Sequence, residues 1–311
     1  MTASEMAASG AGGAAVRAAA LTRCTAVGES SLEWRNDKGE RRRSAGMDLT
    51  CLAQAFTVAI LVSTSFAWAQ RPSELDVTAL VERARQKALA YAQSLPDFVA
   101  TEIIRRYTCR QGRGFETRPA DSLTVQLRDF QHKEEHKLML FNGEPTSVPF
   151  ESLEGLVGSG EFGSTISAIF QPESRTNFRW LKWKTVRDRR AAVFAYVVDA
   201  AHSRYVLSSK IEGRTATATV SYSGTVECDA ENGEVLHLEY AADHIPKELH
   251  LGYAATSVDY AFADIGGRDY LLPSRSETEL HGSDQWVKNV IEFREYRKFS
   301  ADSSVDFGPV K

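Results

Sequence analysis

The sequence predicts an α+β domain: an N-terminal helix, then a large antiparallel, partly closed (half-barrel) β-meander of about eleven strands with a short helical insert. Three observations carry this. Helical periodicity is sustained over one long stretch, 73–95. After Pro96 the apolar period falls from about 3.6 to 2. The period-2 segments are joined by residue pairs suited to tight hairpin turns.

The chain has 311 residues, and its first part does not read like the domain. Residues 1–46 are dominated by Ala, Gly, Ser and Arg, with almost nothing to bury, so they are expected to be a disordered or mis-assigned leader. Residues 47–69 read as a cleavable signal peptide. Arg41, Arg42 and Arg43 precede a charge-free run, Cys51–Ala69, and Ala67-Trp68-Ala69 puts small residues before Gln70. The alternative is an uncleaved anchor, because about 20 apolar residues can span a bilayer. Residues 70–311 are expected to be a single β-rich domain in the periplasm or cell envelope, with secretion to the medium left open.

In the helix, Val77, Leu80, Val81, Ala84, Ala88, Tyr91 and Leu95 form one stripe, with Glu82, Arg83, Arg85 and Lys87 on the other side. Ser73 is the expected N-cap, Asp76 sits three residues on, and Pro96 ends the helix. Strands are expected at 98–107, 122–130 and 137–141. Beyond an insert at 145–175 they continue at 177–184, 191–199, 204–211, 215–228, 235–242, 255–263, 268–280 and 286–299. Asn142-Gly143, Glu212-Gly213, Asn232-Gly233, Gly266-Gly267 and Gly282-Ser283 supply the turns. The insert holds a glycine-rich loop and a short helix at Ser164–Phe170 that ends near Pro172.

Composition narrows the function. The formal net charge is −4, and an acidic exported domain is a poor partner for nucleic acid, whose binding depends on phosphate neutralisation. Cys109 and Cys228 are the two cysteines beyond the leader. They form either a stapling disulfide or two buried thiols.

Three patterns resemble chemical motifs. Gly158-Ser159-Gly160-Glu161-Phe162-Gly163 matches G-x-G-x-x-G, but the acidic residue a dinucleotide site needs about 20 positions on is absent from Phe178–Lys184. The loop reads better as a mobile lid, with Gly158, Gly160, Phe162 and Gly163 as its residues. His132-Lys133-Glu134-Glu135-His136 matches H-x-x-E-H, but zinc chemistry on that spacing requires a helix, and these residues lie between strands. Arg179–Lys184 interleaves basic and aromatic residues, which fits an amphipathic strand or peripheral contact with an anionic membrane surface. Beyond these, the sequence shows no nucleophile elbow and no other metal spacing. No enzyme, cofactor or metal is expected.

The stretches LPDF (95–98), GSGEFGS (158–164), YSGTVECDAENGEVLHLEYAADHIP (222–246), VDYAFADIGGRDYLLP (258–273) and NVIEFREYRKFSADSSVDF (289–307) occur in this order. Together they resemble a group of exported bacterial β-rich proteins of uncharacterised activity. The helix–meander–short-helix–meander order and the phrase from Gly224 to Val235 are similar to the outer-membrane lipoprotein carrier (LolA-like) superfamily. That resemblance implies an unclosed barrel around an apolar cavity, with a lid over residues 160–170, and transfers no ligand-contacting residue. The expected function is an exported envelope protein holding a lipid, a lipoprotein acyl chain or another apolar ligand. Phe178, Trp180, Phe194 and Tyr196 are same-face aromatic residues suited to lining the cavity or to filling a core. The alternative is a protein-interaction or structural module without a small ligand.

Overall fold

The computed structural model describes residues 71–299, except 111–113, 117, 154–161, 212–213 and 284. The expected leader, signal peptide, Gly158, Gly160 and the Glu212-Gly213 turn lie outside the described residues. No described helix is long and apolar enough to cross a membrane.

Helix α1 spans Glu74–Ser94, and its start is the expected cap. The Ser73 hydroxyl accepts from the Asp76 amide at 3.2 Å, while the Ser73 amide donates to the Asp76 carboxylate at 3.2 Å. This capping box satisfies two donors that the first turn would leave open. The helix gives out at Leu95, which is extended (ψ 135°), as the residue before a proline prefers.

Strands follow as β1 (Phe98–Arg110), β2 (Asp121–Phe130), β3 (Lys133–Phe141) and β4 (Glu144–Pro145). Helix α2 (Ser164–Phe170) comes next, then β5 (Asn177–Val186), β6 (Arg189–Val198), β7 (Val206–Ile211) and β8 (Arg214–Thr219). The chain continues with β9 (Ser221–Asp229), β10 (Val235–Asp243), β11 (Leu251–Asp264), β12 (Asp269–Gly282) and β13 (Gln285–Lys298). Eleven strands form one antiparallel sheet in the order β4-β3-β2-β1-β13-β12-β11-β10-β9-β6-β5, and β7-β8 stand apart as a hairpin. The end strands β4 and β5 do not pair with each other, so the sheet is not closed.

Two expectations need correction, and one alternative left open is decided. The single strand expected at 215–228 is two, because Val220 breaks it: its amide donates to the Tyr205 carbonyl at 2.9 Å and its side chain is buried. Two tight turns lack the glycine that would have signalled them. Gln131-His132 (φ 54°, 60°) and Arg187-Asp188 (φ 45°, 65°) both take positive φ. The first is held by the Gln131 amide donating to Asp97 at 2.8 Å. Cys109 and Cys228 are free thiols. They lie on β1 and β9 with four strands between, roughly 24 Å apart at strand spacing. Cys109 pairs with outward-facing Trp286, whereas Cys228 is buried in the core. Side chains on opposite faces cannot be bridged.

Paired residues on neighbouring antiparallel strands project to the same face, so the register assigns the two faces. The inner face is apolar and carries both helices. Ala84 and Ala88 of α1, with Ile166, Ile169 and Phe170 of α2, pack on Phe194, Tyr196, Leu238 and Tyr260. A second cluster, including Phe98, Leu123, Leu127, Ile291 and Phe293, is closed by Phe150 and Phe162. The outer face is polar and laced with cross-strand ion pairs, the pattern of an antiparallel sheet with one side in water.

One close approach fixes the middle of the sheet. A Cβ built on Gly224 would stand 1.9 Å from the Glu239 carbonyl oxygen, so only glycine fits there. Tyr196 is opposite Gly224 and donates from its hydroxyl to that same carbonyl at 3.1 Å. The ring thus covers the gap that the glycine leaves, which is how aromatic residues rescue strand glycines.

Candidate functional site

The site candidate is a cavity of about 210 Å³ between the C-terminal half of α1 and the β11–β12 hairpin. Ala88, Tyr91 and Leu95 project into it from α1, Ile166 from α2, Val235 from β10, and Phe262 and Leu271 from the hairpin. The helical spacing 88, 91, 95 puts three residues of the α1 stripe on one line. The stripe is therefore shared: Ala84 and Ala88 seat the helix on the sheet, while Tyr91 and Leu95 line the space the helix does not fill.

Lys87, Glu234, Arg268 and Asp269 also line this space, and all but half-buried Glu234 are exposed. The Arg268 guanidinium lies 5.0 Å from the centroid of the Tyr270 ring. Glu234 accepts a hydrogen bond from the Asn232 amide side chain at 2.8 Å. Deeper in, the Tyr91 hydroxyl is buried with no hydrogen-bond partner among the described residues. Burial pushes its phenol far above the usual tyrosine range, so it stays neutral. The cavity is thus apolar inside, mixed in charge at the mouth, and carries one unused polar group.

The helix over the cavity is fastened at the turn between β9 and β10. Arg83 donates to the Ala230 carbonyl at 2.8 Å, and Gly233 (φ 80°) approaches so closely that a Cβ would meet the Arg83 backbone at 2.8 Å.

The four aromatic residues expected to line a cavity are brought together. Phe178 pairs with Tyr196 and Trp180 with Phe194 across β5 and β6. They lie in or against the packed core, where Phe170 of α2 stacks on Phe178 at 5.0 Å and 21°. None of the four borders the α1 cavity. Their ring surface seats α2, which in turn supplies Ile166 to the cavity wall. A bulge at Leu181 puts Trp180 and Trp183 on the same face despite their odd spacing, and turns Arg179, Lys182 and Lys184 outward.

Of the expected lid residues, Phe162 is buried against Phe98 at 5.3 Å and Phe293 at 5.4 Å, and Gly163 (φ 115°) caps α2. His132 is in a turn and His136 is on β3, not on one helix. His136 stacks on Phe150 at 5.2 Å and lies 3.5 Å from buried Glu102. Sequence reasoning placed Tyr91 in the apolar stripe and Arg268 beside a turn, but nothing local showed that α1 and the β11–β12 hairpin would face each other.

No protein-family model and no curated protein matches this chain. Among solved structures it is similar to a LolA superfamily protein from Nitrosomonas europaea, at 11% identity over 72% of this chain and 93% of that chain, with TM-score 0.28. It is similar to a DUF1329 family protein from Desulfovibrio piger at 11% identity, 73% and 95% coverage, and TM-score 0.32. It is also similar to a putative outer membrane lipoprotein-sorting protein domain from Vibrio parahaemolyticus at 12% identity, 73% and 95% coverage, and TM-score 0.31. With scores this low, the fold rests on the strand order and register described above.

Proposed function

We propose that this chain is an exported envelope protein that binds rather than catalyses, and that it takes the apolar chain of a lipid or lipoprotein into the cavity under α1. The observation that carries the reading is an apolar-walled space of about 210 Å³ beneath a helix on an unclosed sheet. Small-molecule pockets usually enclose about 300–1,000 Å³, so the space in this form suits the end of an acyl chain. Each methylene buried adds roughly 0.8 kcal/mol, about fourfold in affinity.

The test is titration with fatty acids of increasing length, read by displacement of a fluorescent acyl probe. Affinity rises with length and then levels off as the cavity fills, and Ile166→Trp, which fills the wall, abolishes the dependence. No response at any length from folded protein sinks the reading. It would favour the second one, a protein-interaction module, for which the outer edge of β5 is the supporting observation: among the described residues no strand pairs with it.

A further inference from the structure

The outer face of the sheet holds a second cavity, of about 160 Å³, unconnected with the space under α1. Its shape follows from register. Ala241 of β10 stands opposite Ala255 of β11, and Ser257 lies beside them, so three small side chains form a floor. Longer side chains rise around it. Tyr253 and Glu279 flank Ala255, while Glu239 and Glu277 stand on either side of Ser257.

The walls are held in place. Tyr253 is 40% exposed, and its ring packs on His281 at 4.7 Å; His281 in turn stacks on Trp286 at 3.8 Å and 6°. A row of rings on the solvent side of a sheet is unusual, since polar residues are the rule there. Each carboxylate has a partner: Glu239 meets His237, which it shares with Asp259, at 3.2 Å, Glu277 meets Arg275 at 2.7 Å and Lys288 at 3.5 Å, and Glu279 meets the His281 ring at 2.5 Å. Glu277 is thus countered by two cations and Glu239 shares one, which lessens the attraction for a free cation. As lining residues they still offer acceptor oxygens to whatever occupies the floor.

We propose that this trough binds a neutral sugar residue of a glycan chain. A pyranose has an apolar C–H face, which suits the Tyr253 ring, and a rim of hydroxyl donors, which suits three oriented carboxylates. The small floor lets such a ring lie close to the sheet. A volume equal to about five waters of liquid admits one small ring, and the open outer face leaves room for the chain to continue.

Affinity electrophoresis of the full domain through gels containing amylose, hydroxyethylcellulose or glycol chitin tests this, followed by calorimetry with the matching hexasaccharide. At least one polymer is expected to retard the protein. Tyr253→Ala should weaken binding about tenfold, the scale of one lost aromatic contact. Ala255→Leu, which raises the floor, should abolish it while circular dichroism stays unchanged. Acyl-probe binding under α1 should be untouched in both variants, which separates this site from that one. Retardation by none of the polymers, or retardation that both variants keep, overturns the proposal. Spermidine binding that is lost in Glu279→Gln, without glycan binding, overturns it in favour of an ammonium site.

Discussion

Replacing His237 by glutamine should remove a pH-dependent part of the domain's stability. The imidazole bridges two strands, with Nδ1 2.7 Å from Asp259 and Nε2 3.2 Å from Glu239, and its side chain is only 14% exposed. Burial opposes its charge, but hydrogen bonds to Asp259 and Glu239 outweigh that and raise the pKa to about 9. The unfolded value is about 6.5. A folded pKa raised above the unfolded one contributes stability that is complete below about pH 6.5 and lost as pH rises through about 9. At 1.36 kcal/mol per unit, the ceiling is on the order of 3 kcal/mol. Urea unfolding at pH 6.0 and 9.5, followed by tryptophan fluorescence, reads it directly. The native protein should lose about 2–3 kcal/mol across that interval, and His237→Gln should show little of this slope. Equal stability of the native protein at both pH values, or the same slope in the variant, would refute the reasoning.

Tyr91→Phe removes a buried hydroxyl that has no partner among the described residues, and burying such a group costs roughly 1–3 kcal/mol. Thermal unfolding should show Tm unchanged or raised by about 2–4 °C, and a fall of that size would show that the hydroxyl is bonded. Gly224→Ala must push β9 and β10 apart, because the new methyl would meet the Glu239 carbonyl. The urea midpoint should fall by an amount equivalent to at least about 1–3 kcal/mol, and an unchanged midpoint would contradict the register.

Local features were legible wherever one stretch of chain decides its own structure. Ser73 and Asp76 cap α1, Pro96 ends it, and Asn142-Gly143, Gly233 and Gly266-Gly267 take positive φ at expected turns. What escaped was set by neighbours distant in sequence. Val220 looks like any strand residue, and only its burial and its bond to Tyr205 show why the strand breaks there. The turns Gln131-His132 and Arg187-Asp188 carry no glycine. Tertiary bonds such as that from Gln131 to Asp97 hold a backbone that local propensity disfavours.

The site was less legible than the fold for the same reason. Alternation gave Phe178, Trp180, Phe194 and Tyr196 a common face, but not what would cover that face. Phe170, from an element outside both strands, covers it. Sheet order also could not be read from turn lengths. β1 lies beside β13, so the first and last of the described strands meet in the middle and the sheet does not run in sequence order. Short turns fix only the neighbours they join, and the pairing of β1 with β13 is made by neither. That one non-local pairing joins the N-terminal strands to the rest of the sheet. The α1 cavity needs a second such contact, between α1 and the β9–β10 turn, where Arg83 meets Ala230. Both are long-range contacts between segments whose local sequence is ordinary, and the function proposed here depends on the second.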